Sequence, residues 1–156
     1  MKKITPFLWF DGRVAEAMEH YQSIFPGLRV VRTVPGPAGT LSATFELDGQ
    51  EFVAFDGGPH LKLTPAVSMY VNCETQEEVD RLWARLTEGG AESRCGWLVD
   101  RFGLSWQIIP SVLPELLYGS DRARADRVTK AMLEMQKIDI GALERAAASQ
   151  PVEAGA

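Results

Sequence analysis

The chain has 156 residues, enough for one compact domain with a real core. Its hydrophobic fraction of 46% and charged fraction of 24% are those of an ordinary globular protein in water. A net charge of −5 argues against nucleic-acid binding through the overall field, and no apolar run approaches the roughly 20 residues that span a bilayer.

The N-terminal stretch MKKITPFLWFDGR has two lysines and a short apolar patch but no small-residue cleavage signal, so no signal peptide is expected. Residues 3–10 read as a strand. In VAEAMEHYQSIF the residues Val14, Ala17, Met18, Tyr21, Ile24 and Phe25 share one helical face, and Pro26-Gly27 stops the helix. LRVVRTV is a predicted strand, PGPAG a turn, TLSATFEL a strand, Asp48-Gly49 a tight hairpin turn and QEFVAF a further strand.

The same order then recurs. AVSMYVNC predicts a strand, and TQEEVDRLWARLTEGG a helix with Val79, Leu82, Trp83 and Leu86 inward and Gly89-Gly90 at its end. AESRC, GWLVD and LSWQII predict short strands, with Phe102-Gly103 at the last turn. Laid over each other, Leu8-Trp9-Phe10 falls on Met69-Tyr70-Val71, Tyr21 on Trp83, and Gly49 on Gly103. The chain is thus expected to be α+β, built from two tandem β-α-β-β-β units. One unit cannot cover both faces of its small sheet, so pairing two copies is how such a unit folds.

After Pro110 the character changes. SVLPELLYG, DRARADRVTKAMLEMQK and DIGALERAAAS have helical period, with Asp121 and Asp139 as expected N-caps and Val128, Met132 and Met135 in one stripe. A methionine stripe at this spacing reads as core, so the tail is expected to pack on the domain or on a dimer partner. The expected division is 1–111 as the repeat domain (1–59 and 60–111), 112–150 as the C-terminal helices, and 151–156 as a frayed tail.

Paired β-α-β-β-β units of this kind resemble the vicinal oxygen chelate superfamily of glyoxalases, bleomycin-resistance proteins and extradiol dioxygenases. Within it the chain is similar to the PhnB-like subgroup often labelled 3-demethylubiquinone 3-methyltransferase. The stretches that carry the resemblance are ITPFLWFDGRVAEAMEHYQSIFPG, GGPHLKLTPAVSMYVNC, EEVDRLWARLTEGG, CGWLVDRFGLSWQIIP and VTKAMLEMQKIDIGALERA, which together cover nearly the whole chain. The resemblance implies a glyoxalase-like curled mixed sheet whose cups hold the site, and it implies homodimers.

Metal-using members of that superfamily place one ligand on the first and one on the last strand of each unit. Here the last-strand positions fall on Val53 and Gln107, and the first-strand positions near Thr5 to Phe7 and Ala66 to Ser68. A divalent metal needs three or four converging N, O or S donors, and Gln107 with its neighbours does not supply them. No metal and no cofactor is therefore expected.

Strand alternation puts Ser105, Gln107 and Ile109 on one face and Leu104, Trp106 and Ile108 on the other. In the second repeat's first strand Ser68 and Tyr70 share a face, and Trp9 is the equivalent of Tyr70 in the first. An apolar cup with a few converging polar groups suits a small molecule, so Trp9, Ser68, Tyr70, Ser105 and Gln107 are the candidate ligand-binding residues. The expected function is small-molecule binding, or metal-independent catalysis, by a glyoxalase-like protein. The alternatives are a metal-dependent lyase, isomerase or dioxygenase with a degenerate site and, behind it, a methyltransferase.

Other residues rank lower. His20 lies opposite its helix's apolar stripe and reads as solvent-exposed, and His60 reads as a surface loop residue. Asp100 and Arg101 are expected to fix the last hairpin, and Cys95 to be a small buried thiol with no base placed beside it. Glu77-Glu78 sit in a first helical turn, where negative charge is favoured. Cys73 and Cys95 form no CxxC and no disulfide-dense pattern, which favours a reducing cytoplasm without excluding a disulfide. A methyl-donor site of Rossmann type needs a glycine-rich strand-to-helix turn, and the glycines of PGPAG, DGG and EGG do not bridge a core strand into a helix.

Overall fold

The structure is a computed structural model that describes residues 2–149; residues 151–156, expected to fray, lie outside the described residues. Within that range the chain divides into two compact units. The first takes in the chain up to Val67 with Arg101–Ser105, the second Ser68–Asp100 with the chain from Trp106 onward.

In the first unit, β1 (Phe7–Phe10) leads into α1 (Val14–Ile24), followed by β2 (Arg29–Gly36), β3 (Gly39–Leu47) and β4 (Gln50–Asp56). The sheet order is β1-β4-β3-β2, with β1 parallel to β4 and the other pairs antiparallel. Val14, Ala17, Met18, Tyr21 and Ile24 are buried, as their spacing requires, and α1 packs on β3 and β4. Leu8, Phe10, Ala43, Phe45, Phe52 and Ala54 are the buried residues of the strands. The Asp48-Gly49 turn has φ of 47° and 74°, the two positive values that a two-residue type I′ hairpin needs. The expected PGPAG turn is shorter in the structure: β2 and β3 run on until only Pro37 and Ala38 lie between them. Pro35 fits inside β2 because β2 is an edge strand, where no ladder partner is missed. The strand expected over 3–10 is confined to Phe7–Phe10.

The second unit repeats the order with β5 (Ser68–Cys73), α2 (Gln76–Thr87), β6 (Ala91–Glu92), β7 (Trp97–Val99) and β8 (Ser105–Pro110), arranged as β5-β8-β7-β6. AESRC contributes two strand residues rather than five. Val79, Leu82, Trp83 and Leu86 are buried, and α2 packs on β5 and β7. Its start is capped from both sides: the N-cap Thr75 accepts through Oγ1 from Glu78 N, and Glu78 Oε2 reaches back to accept from Glu74 N at 2.9 Å. Gly103, at φ 88°, takes the turn position that Gly49 takes in the first repeat.

Three helices complete the second unit: α3 (Val112–Tyr118), α4 (Arg122–Leu133) and α5 (Ile140–Ala148). Asp121 and Asp139 cap α4 and α5, accepting from Arg124 N and Ala142 N. Ile109, Leu113, Val128, Ile138 and Leu143 form one buried cluster, with Met132 and Met135 packed against it. The turn between α4 and α5 is bound to α2. Gln76 Nε2 donates to Ile138 O, Gln76 Oε1 accepts from Ile140 N, and Lys137 pairs with Asp80 at 2.6 Å. The stripe therefore packs within the chain's own second unit, with Val128 buried and Met132 and Met135 half-buried against it.

Candidate functional site

The repeat alignment made Phe7 the equivalent of Ser68, and Val53 that of Gln107. In the first unit Phe7 and Val53 are register partners across β1 and β4. In the second, Gln107 Nε2 donates to Ser68 Oγ at 2.9 Å, from β8 to β5. Both pairs span the strands on which the superfamily's metal ligands are expected. The first is wholly apolar. The second is an amide and a hydroxyl joined by that one hydrogen bond, with Gln107 Oε1 accepting none among the described residues.

The residues present do not fit a metal. Phe7 and Val53 carry no donor, and amide and hydroxyl oxygens are weak ligands without a carboxylate or imidazole beside them. Among the described residues no group of three His, Cys, Asp or Glu is placed to hold an ion.

Trp9 is held rigidly in the first unit. Its indole Nε1 donates to Gly58 O at 2.8 Å, and its ring meets Phe55 edge-on at 5.4 Å. A Cβ on Gly57 would come within 2.0 Å of the indole, so only glycine lets the chain after β4 pass so close. Ser105 is 1% exposed, and its Oγ has no hydrogen-bond partner among the described residues, an uncommon state for a buried hydroxyl.

Tyr70 lies on the second unit with 54% of its surface exposed. Partial burial, then the nearby Tyr118 phenol and Cys73 thiol, push its phenol above the ordinary value. On the face of β8 that Gln107 shares with Ile109, the C-terminal helices pack against Ile109, so that end of the face is covered.

Asp100 is buried and accepts from Trp106 Nε1 at 2.8 Å, which fixes the last hairpin as expected. His60 is exposed. His20 corrects the expectation of exposure: it is half-buried, edge-on to Phe102 at 5.6 Å. Helical periodicity places His20 off the apolar stripe but does not show that the 101–105 turn covers it. Phe102 itself meets Phe10 and Tyr21 and lies under the Arg13 guanidinium at 4.6 Å, an aromatic cluster that sequence reasoning missed. Cys95 is half-buried with Sγ directed at Met132 O, and both cysteines are free thiols.

Two β-α-β-β-β units, each a four-stranded sheet with one crossover helix, define a glyoxalase-like fold. Over residues 2–109 the chain matches the family described as 3-demethylubiquinone-9 3-methyltransferase, and it belongs to that family. A solved structure from Bacillus cereus described as a 3-demethylubiquinone-9 3-methyltransferase, PhnB protein, is 36% identical, with a TM-score of 0.65 over 70% of this chain and 100% of that one. A protein of Pseudomonas aeruginosa is 24% identical, with a TM-score of 0.56 over 68% of this chain and 95% of that one. The fosfomycin resistance protein FosX of Listeria monocytogenes, solved with Mn(II) and 1S,2S-dihydroxypropylphosphonic acid, shares the fold at 15% identity and a TM-score of 0.52, covering 68% and 90% of the two chains. No curated protein matches the chain. The family match ends at residue 109, so α3, α4 and α5 lie beyond it.

Proposed function

We propose that this protein binds a small organic molecule without a metal ion. The observation that carries the reading is the Ser68–Gln107 pair, an amide and a hydroxyl where metal-using relatives would need a carboxylate or an imidazole. A carboxylate at this half-buried position without a metal would carry a desolvation cost that an amide avoids. On the second unit Ser68, Tyr70 and Gln107 are the proposed contacts; on the first, Trp9 supplies an aromatic wall and Ser105 a buried hydroxyl whose hydrogen bond a ligand or water would complete. The resemblance to FosX supports the fold alone, and Val53 and Phe7 argue against carrying its manganese over. Methyl transfer rests on the family's description, with no glycine-rich strand-to-helix turn to hold a methyl donor.

The same reading places the chain in the cytoplasm, supported by two free thiols. Among the described residues no helix is long and apolar enough to cross a membrane. It also includes a homodimer, for which exposed Phe7, Val31, Val67 and Tyr118 are the support, a closed two-fold pair being the commonest assembly. Light scattering of the full chain at tens of micromolar tests it, and a monomer there would contradict it. For the ligand, a thermal-shift screen is repeated on Trp9→Ala and Tyr70→Ala. A hit should lose its stabilisation in one of them; a hit that stabilises both variants as well as the wild type binds elsewhere.

A further inference from the structure

The first unit contains a cavity of about 240 Å³, lined by Trp9, Asp11, Pro59, Leu61, Lys62, Leu63, Phe102 and Gly103. Two of its walls are rigid aromatics. Trp9 is pinned by Gly58 O, Phe55 and the close approach of Gly57. Phe102 is pinned by Phe10, Tyr21, His20 and the Arg13 guanidinium. Pro59, Leu61 and Leu63 add an apolar loop wall. Among the described residues the charged groups that line the space are Asp11 and Lys62. Both are exposed, and among the described residues neither makes a hydrogen bond or ion pair.

This lining selects a ligand class. The volume lies below the roughly 300 Å³ at which clefts for drug-sized ligands begin, so it suits a molecule with a single ring. An organic anion alone would gain Lys62 but meet Asp11, and an organic cation the reverse. A neutral ring leaves both charges without a counterpart. A zwitterion gives each charge its opposite, and a ring beside it gives Trp9 and Phe102 an apolar face to cover.

We propose that this cavity binds a small aromatic zwitterion of the α-amino-acid type. Its carboxylate lies at Lys62, its ammonium group at Asp11, and its ring against Trp9 and Phe102. The proposal rests on the reading of metal-free small-molecule binding and adds the ligand's chemical class and a location in the first unit.

Titration calorimetry on the full chain with phenylalanine, 3-phenylpropionate and 2-phenylethylamine tests it. Phenylalanine should bind tightest, by about three- to fivefold over either single-charge analogue, the scale of one exposed ion pair. Lys62→Met should abolish its advantage over 2-phenylethylamine, and Asp11→Asn its advantage over 3-phenylpropionate. Both residues are exposed, so the variants should keep the wild-type circular dichroism and melting curve. Equal affinity for all three compounds, no binding of any, or a ranking unchanged in both variants overturns the proposal. A screening hit lost in Tyr70→Ala but indifferent to Lys62→Met and Asp11→Asn would sink this inference while sparing metal-free binding. A stoichiometric bound metal would sink the reading beneath it.

Discussion

Gln107 donates its amide to Ser68 Oγ at 2.9 Å, at the place in the second repeat where the first repeat sets Phe7 beside Val53. One scaffold thus carries an apolar pair in one copy and a hydrogen-bonded pair in the other. Gln107→Leu leaves the half-buried Ser68 hydroxyl without its donor and should cost about 1 kcal/mol. Adding Ser68→Ala should restore most of that loss, because both partners are then apolar. Urea unfolding of the two single variants and the double variant measures the coupling. Gln107→Leu should also weaken any ligand bound on that face. If it unfolds the chain outright, Gln107 is a structural residue and no ligand contact.

Gly57 and Trp9 form a second test. A methyl group on Gly57 would overlap the indole, 2.0 Å from Cζ2. Gly57→Ala should cost about 1–3 kcal/mol, the usual scale of overpacking, and shift the tryptophan emission. In a Trp9→Ala background the same substitution should be nearly neutral, since the ring it strikes is gone. Equal costs in the two backgrounds would show that Gly57 is needed for its backbone and not for Trp9.

The C-terminal helices are part of the second unit's core. Leu143 is 0% exposed in the cluster with Ile109 and Val128, so Leu143→Ala should lose about 2–5 kcal/mol by chemical denaturation. Leu133, 50% exposed, should lose no more than about 0.5 kcal/mol on the same change. Similar small losses for both would mean that the tail is not packed as described.

Burial pushes the Cys73 thiol up to about 12 from an ordinary 9.0, with Glu78 adding to the shift. The folded state therefore keeps this proton at a pH where the unfolded chain releases it. Stability from this group is complete below about pH 9 and falls as pH rises towards 12. Melting curves from pH 8 to 11 should show a decline that Cys73→Ala reduces. Native Cys73 should also resist alkylation at pH 8, where its thiolate is scarce.

Much of this was legible in the sequence because the repeat imposes itself on spacing. The Gly49–Gly103 match aligned Val53 with Gln107, the match of Leu8-Trp9-Phe10 to Met69-Tyr70-Val71 aligned Phe7 with Ser68, and both pairs lie across the strands that these alignments assign. Helix faces were legible for the same reason, since Val79, Leu82, Trp83 and Leu86 follow one 3.6-residue period. What escaped depends on contacts distant in sequence. His20 and Arg13 meet Phe102 more than eighty residues on, and no periodicity encodes that. The 59–63 loop lines a cavity beside Trp9, although its sequence announces only a loop. Both amide atoms of Gln76 hold the turn between α4 and α5, more than sixty residues on.

The claim beneath all of this is that the site works without a metal, and metal analysis of untagged protein tests it most directly. Zinc, iron, manganese and nickel should each be far below one equivalent per chain and unchanged in Gln107→Ala. One equivalent of any of them, lost in Gln107→Ala, would contradict the account.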